Sequence, residues 1–443
     1  MLSKGLKNSL NAIREISSTI YQRYIPIIED NTNISDFATP ILEVPVVYNE
    51  FCNALVNRIV YTAIESRTFN NPLRALEGNV MPLGYAGQEI YVNPAKGRQY
   101  NPEDFAGILQ KYEADVKVQY LVKNMDLQYP VTVVRTKLKE AFVSWDALDS
   151  FITGLVNSLY NGMHIDEFRF TKALVSSAYN GNMVNVETVS DPLSSEALAK
   201  TFITKARELF LNFQMPSTSY NAWNKVGGSG RPITTWTEPE DIVILLRNDI
   251  RAYVDVNVLA AAFQIDRSTL LGNIYPIDNF DVYSDDGEKV FDGSNVFAMI
   301  ADRNWFKIKP VDTFMEQAYN ANNRALQYYL NTIKMYEFSL FANAVVFSTT
   351  EATVNPTAFK FLVNGEEKTS ITITEATDVE VVTTPYSANA SITYASSATS
   401  YATVAKKDSQ NKVITITPVA DGSANITATV GDVTGTLAVT VDV

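Results

Sequence analysis

His164 is the only histidine of the chain and Cys52 the only cysteine, so any Ser-His-Asp, Cys-His or zinc arrangement has to pass through one of these two residues. His164 sits between Met163 and Ile165 inside a helical pattern. There a packed or surface imidazole is the plain reading, and nothing supports a general base. Cys52, in the apolar run "EFCNALVNRIV", reads as a small core residue. A lone cysteine also excludes an intrachain disulfide. "KVGGSGRP" (residues 225–232) has the glycines of a phosphate loop. It lacks the following Gly-Lys-Ser/Thr and the strand-to-helix context that such a loop requires, so it reads as a flexible loop. "DVYSDDGEKVFDG" looks like a calcium loop, but counting back from Gly287 puts Val282 where the first carboxylate ligand must stand. That excludes an EF-hand and leaves only an adventitious cation. The 49 acidic residues offer carboxylate pairs for glycoside hydrolysis, yet no pattern places two of them on facing strand ends. The 23 tyrosines and 22 phenylalanines suit core packing and subunit interfaces as well as sugar stacking. The residues therefore point to no enzyme, no metal site and no cofactor.

The elements around these residues are more informative. Phe142, Trp145, Leu148, Ile152, Leu155, Leu159 and Met163 recur at steps of three and four, which predicts a helix from Trp145 to Tyr179. Ser144 is a candidate cap, and Asp146 and Asp149 suit the positive end of the helix dipole. One rod of that length spans about 50 Å, a scaffold dimension. Gly154 and Gly162 are candidate bends or close-packing points. A second helix is expected over Ser195–Asn212, a buried strand at "DIVILLRNDI", a helix at "VDVNVLAAAFQI" and a strand at "DRNWFKIKPV". The opening "MLSKGLKNSLNAIREISSTIYQRY" reads as an amphipathic helix and not a signal peptide. Residues 38–80 look helical around "EFCNALVNRIVYTAIES", up to the Asn70-Asn71-Pro72 break. Between Gly78 and Tyr129 two extended limbs, separated by polar residues, suggest a long excursion of a kind that is usually functional.

The chain has 443 residues, a length that favours two or more domains. Its 46% hydrophobic and 19% charged residues are those of a folded protein. No apolar run approaches the roughly 18 residues that span a bilayer, so no membrane is expected. The net charge of −13 argues against a primary grip on nucleic acid. An acidic protein can still form a wall beside nucleic acid, where weak sticking is an advantage.

Composition changes near Ser348. Beyond it there is no Arg, Trp or His, and short alternating runs such as "SITITE", "VEVVTT", "KVITITPV", "ANITATV" and "GTLAVTV" follow one another. Turn residues separate them, at Asn364-Gly365, Asp421-Gly422 and Gly431-Asp432. About seven strands of this kind predict a β-sandwich over 349–443. The stretch carrying Tyr394, Ser396-Ser397, Ala402-Thr403-Val404 and Gly422 to Ala428 resembles the bacterial Ig-like domain of group 2 (BIG2), with Tyr394 where that family often has Trp.

The first 350 residues resemble the major capsid protein of the phi-twenty-nine-like small short-tailed phages. The matching segments, in order, are "NNPL" (70–73), "PLG" (82–84), "EIY" (89–91), "EAFVSW" (140–145), "VNVLAAAF" (256–263), "LLGN" (270–273), "DRNWF" (302–306) and "FANAVVF" (341–347). That group also carries a group 2 Ig-like domain behind its capsid core. The resemblance implies an α+β chain with the tailed-phage capsid fold of the Hong Kong ninety-seven type, over residues 1–348. It implies an N-arm at 1–75, an extended loop at 78–129 lying over a neighbouring subunit, a spine helix at 145–179 and an axial domain at about 215–330. The loop and arm are expected to order only on docking. Candidate inter-subunit contacts are Arg14, Tyr85, Tyr91, Arg98, Tyr100, Trp223 and Arg231.

The function so implied is a structural one. Copies assemble as pentamers and hexamers of an icosahedral shell around double-stranded DNA, in the host bacterial cytoplasm, and reside in the virion. Scaffolding, portal and head-fibre proteins are the expected partners, and contact with DNA is weak. The Ig-like domain is expected outside, bridging capsomers or binding surface glycans. The lack of any aromatic residue from Ala402 to Val443 favours bridging. The alternative is a cell-surface or phage tail-appendage adhesion protein, which predicts a secretion signal, repeated Ig domains or a fibre repeat. A glycan hydrolase comes third.

Overall fold

Leu6, Leu10 and Ile13 lie on one stripe of the helix Lys4–Ile16 and are buried together, as an amphipathic helix against a core requires. The computed structural model describes residues 4–52, 54, 69–81, 87–99, 111–226, 231–253, 273–284, 286–320, 322, 325–407 and 412–443. Two units emerge from the packing. One comprises Met1–Gly87, Tyr120–Thr171 and Lys307–Glu337, the other Gln88–Gln119, Lys172–Phe306 and Phe338–Val443.

In the first unit the short helices Thr19–Tyr24 and Ile34–Glu43 follow the first one. Ser18 and Asn33 cap them by accepting from the Tyr21 and Ser35 amides. Their apolar faces join Phe51, Phe142, Leu148, Leu155 and Tyr328 in one core. Phe37 stands at its centre, with ring contacts to Phe51, Phe142 and Trp145. A three-stranded sheet follows, in the order Phe306–Asn320, Ala325–Phe338, Met125–Val134, the last two antiparallel.

The helix Trp145–Asn180 confirms the expected rod, and the Ser144 hydroxyl accepts from the Ala147 amide at 3.1 Å as its cap. The two glycines differ. A Cβ on Gly162 would sit 3.3 Å from the Tyr129 ring, so that glycine marks close packing, whereas Gly154 faces open space.

The second unit is built on a five-stranded sheet ordered Asn185–Thr188, Ala344–Ser348, Val296–Asp302, Ile242–Arg247, Ile274–Ile277. Every residue of Val296–Asp302 is buried, which is why these strands read as continuous apolar runs without alternation. The helix Glu196–Phe213, capped by Ser195, lays Phe202, Ala206, Leu209, Phe210 and Phe213 on that sheet. Two expectations need adjustment. In "DIVILLRNDI" the strand stops at Arg247 and a helix, Asn248–Tyr253, begins. In "DRNWFKIKPV" a 3-10 turn, Arg303–Trp305, precedes the strand because the Asp302 side chain caps it at the Asn304 amide. The expected helix at "VDVNVLAAAFQI" and most of the helical reading at 53–68 lie outside the described residues.

Residues 358–441 form the expected sandwich, with nine described strands in sheets of five and four. The two strands beyond the seven expected are Glu366–Glu367 and Ala402–Lys406. The first is two residues long and the second is mostly exposed, so neither carries a clear alternation. Elsewhere the alternation holds: Ala424, Ile426 and Ala428 of Gly422–Val430 and Leu437, Val439 and Val441 of Val433–Val441 point into one core with Phe361, Val379, Val381, Ile414 and Ile416. Asn364 and Gly365, with φ of 51° and 82°, make the left-handed turn that closes Ala358–Val363 onto its neighbour.

Candidate functional site

The lone histidine is structural. His164 Nδ1 lies 2.9 Å from Glu167 Oε2, and Lys334 Nζ is 2.6 Å from both Glu167 and Glu77. The side chains of His164, Glu167 and Lys334 are 3%, 4% and 5% exposed, so no substrate reaches them. Burial alone would push the Glu167 carboxyl up. The hydrogen bond with His164 and the Lys334 charge outweigh it and hold the group below its ordinary value. Nearby, Tyr129 donates to Asp166 at 3.0 Å, and burial raises both Tyr129 and Tyr336. Cys52 is buried in the first core.

The calcium-like stretch folds as a ribbon of Val282–Tyr283 with Lys289–Phe291, turned at Gly287 (φ 81°). Two of its carboxylates, Asp281 and Asp292, serve the open end of that ribbon. Asp281 accepts from the Gly293 amide, and Asp292 accepts from the Ser294 hydroxyl and amide, which hold it down at about 2. Among the described residues no group of three or more His, Cys, Asp or Glu could hold a metal ion. Residues 227–230, which hold the glycines of the phosphate-like loop, lie outside the described residues.

The excursion is where the surface departs from ordinary chemistry. Its limbs Gly87–Val92 and Val116–Leu121 pair as a two-stranded sheet. The Asn93 amide donates to Asp115 O at 2.9 Å at one end, and Gly87 packs against Leu121 at the other, so the limbs run antiparallel. Alternation then splits their side chains between two faces. One face carries Tyr91, Lys117 and Gln119, which are engaged within the chain. Tyr91 donates to Thr234 O and stacks on Phe341 at 5.6 Å; Trp223 lies 5.0 Å from the same ring. Lys117 pairs with Asp115 at 3.0 Å. Bonds from Asn93 and Lys117 keep the Asp115 carboxyl below its ordinary value. The other face carries Gln88, Ile90, Val92, Val116, Val118 and Tyr120, all exposed, the four aliphatic side chains from 36% at Val118 to 59% at Ile90. An apolar row on the wet side and a polar row on the dry side invert the usual order of a half-buried sheet.

Five of the seven contact candidates are described, and they lie in three places. Tyr91, Trp223 and Arg231 gather at the root of the excursion, where Arg231 donates to Pro94 O at 2.9 Å. Arg98 joins the limbs farther out, bonding Tyr112 Oη and standing 5.4 Å over its ring. Arg14 is elsewhere, donating to Ile25 O and Gln22 O between the first helices. Tyr85 and Tyr100 lie outside the described residues. Sequence reasoning passed over Ile90, Val92, Val116 and Val118. The signal for them was an alternation in "EIYV" (89–92) and "VKVQ" (116–119) that put aliphatic residues on the face opposite Glu89, Tyr91, Lys117 and Gln119. It was legible as two faces, without saying which one is covered.

Residues 10–348 match the family of Phi29-like phage major capsid proteins, and residues 348–441 match the bacterial Ig-like domain of group 2. The chain is 29% identical to the major capsid protein of Bacillus phage B103, over 77% of this chain and 72% of that one. It is 27% identical to the major capsid protein of Streptococcus phage Cp-1, over 75% of this chain and 92% of that one. A chain in the capsid structure of Staphylococcus phage Andhra superposes with a TM-score of 0.53 at 16% identity, covering 65% of this chain and 86% of that one. That likeness shows the α+β tailed-phage capsid fold. The chain therefore belongs to the Phi29-like phage major capsid protein family, whose members are structural components of the virion capsid and not enzymes, and it carries a group 2 Ig-like domain behind the capsid region.

Proposed function

We propose that this capsid protein assembles as pentamers and hexamers of an icosahedral shell enclosing double-stranded DNA, with the outward face of the excursion as a principal contact between copies. The observation that carries this reading is the row Ile90, Val92, Val116 and Val118, left exposed while the opposite face is engaged within the chain. Covering four half-exposed Ile and Val side chains contributes about 3–4 kcal/mol per copy before ordering costs. In this reading residues 1–75 are the N-arm, 78–129 the extended loop, 145–179 the spine helix and about 215–330 the axial domain. Tyr91, Trp223 and Arg231 set the root of the loop and Arg98 stands farther along it, while Tyr85 and Tyr100 are contact candidates by their place in the sequence alone. Arg14 braces the N-arm.

The Ig-like domain, 349–443, stands on the outer surface and bridges capsomers. Its wet faces are largely threonine, and no aromatic platform for a sugar occurs after Tyr401. A scaffolding protein, a portal and head fibres are the further partners. Packaged DNA meets an acidic wall that discourages sticking.

Electron microscopy of the purified protein at high concentration tests the reading, with scaffolding protein supplied if needed. Wild type should give shells, tubes or rings of fivefold or sixfold outline, and a chain ending at Phe347 should give the same without surface knobs. Ile90→Asp and Val118→Asp should leave a folded, unassembled chain. Shells at normal yield from both variants would overturn the role of this face.

A further inference from the structure

The inward face of the excursion is held by carboxamides. Asn93, buried at 4% exposure, donates from Nδ2 to Pro232 O at 2.8 Å and to Asp115 Oδ2 at 3.0 Å, while its Oδ1 accepts from the Thr234 amide at 3.2 Å. Gln119 donates from Nε2 to Phe338 O and accepts at Oε1 from the Leu340 amide, both at 2.8 Å. Asn124, just past the second limb, donates to Tyr336 O at 2.6 Å and accepts from the Tyr336 amide at 2.9 Å. Each side chain offers one donor and one acceptor to the main chain of a segment remote in sequence, as a neighbouring strand would.

The partners are main-chain groups apart from Asp115, so the arrangement does not depend on which side chains those segments carry. It does depend on an amide at 93, 119 and 124, because a carboxylate of the same shape has no donor and would face a carbonyl oxygen. A strand pair tied down on one side loses little freedom when its other side is covered, and an assembly contact made by pre-ordered chain avoids the cost of ordering it at docking.

We infer that Asn93, Gln119 and Asn124 are positioning residues for assembly: they clamp the root of the excursion to its own subunit before any neighbour arrives, and so present the apolar outward face ready-made. The inference rests on the reading that this face meets a second copy. It replaces an excursion that orders only on docking with one whose root is already set in the lone chain.

Hydrogen exchange on the full-length, unassembled protein tests it. Peptides covering Gly87–Val92 and Val116–Leu121 report the limbs, and the strand Ile242–Arg247 serves as internal reference. Asn93→Asp and Gln119→Glu should each speed exchange in the limbs about tenfold, the effect of losing one well-made hydrogen bond to local opening. The reference should stay unchanged and shell yield should fall. Limb exchange at the wild-type rate in the double variant overturns the inference. So does faster exchange in limbs and reference alike in both single variants, since a local clamp would not loosen the whole unit. Ile90→Asp separates the two readings. If it blocks shells while the amide variants exchange as wild type, the clamps fall and the outward-face reading stands. If it assembles normally while the amide variants loosen the limbs, the clamps stand as a pre-ordering device and the outward-face reading falls.

Discussion

Replacing Lys334 by Met removes the cation from a buried pair of carboxylates while keeping the size of the side chain. Lys334 Nζ is 2.6 Å from Glu77 and 2.6 Å from Glu167, and its side chain is 5% exposed. At 2.6 Å and an effective dielectric of 20, each contact is worth about 6 kcal/mol of attraction. Returning the lysine to water recovers several kcal/mol, so Lys334→Met should cost about 3–5 kcal/mol net, the usual result of orphaning a buried charge.

The sign of the pH dependence follows from Glu167. In the wild type its carboxyl is held below the ordinary 4.5. The stability it contributes is therefore present above that value and lost as pH falls through the lower folded value. In the variant, burial is opposed only by His164, which moves the folded value up. Stability is then fully present below the ordinary value and lost as pH rises. The gap between the proteins must widen from pH 5 to pH 8. All four tryptophans (145, 223, 236 and 305) precede Ser348, so urea unfolding followed by tryptophan fluorescence reports the capsid region alone. A loss below about 1 kcal/mol at pH 8, or a gap that does not change with pH, would refute the reasoning, because an exposed pair behaves that way.

Ser195→Ala removes the hydroxyl that accepts from the Leu198 amide at 3.3 Å at the head of Glu196–Phe213. It should cost about 1 kcal/mol on the same fluorescence curve, and Ser195→Asp should cost nearly nothing. Gly435→Ala places a Cβ 2.5 Å from that of Phe359 in the sandwich. It should lower the stability of the sandwich by about 1–3 kcal/mol, read by circular dichroism of the full chain, and leave the tryptophan transition unmoved.

Local pattern sufficed for the elements that bury one face. The 3.6-residue recurrence from Phe142 to Met163 announced the long helix, and the Ser144 cap was visible beside it. Alternating Thr and Ile or Val, with turns at Asn364-Gly365 and Asp421-Gly422, announced the sandwich. The absence of a catalytic histidine arrangement was likewise a matter of residue counts. These properties follow from neighbours within a few turns or one hairpin, where the period of the backbone dictates which side chains share a face.

Other features became visible only in the folded chain. Alternation in the excursion names two faces, but which one is covered depends on Thr234, Pro232 and Phe341, more than a hundred residues away. No property of the letter Asn or Gln marks 93, 119 and 124 as clamps, because their partners are main-chain atoms that every residue possesses. His164 was a mid-helix histidine until Glu167, one turn on, and Lys334, from a distant strand, closed around it. By itself the sequence determined the long helix and the sandwich. Tertiary structure decided which surface of the excursion is left uncovered, since burial is a property of chain segments brought together and not of the segment that is buried.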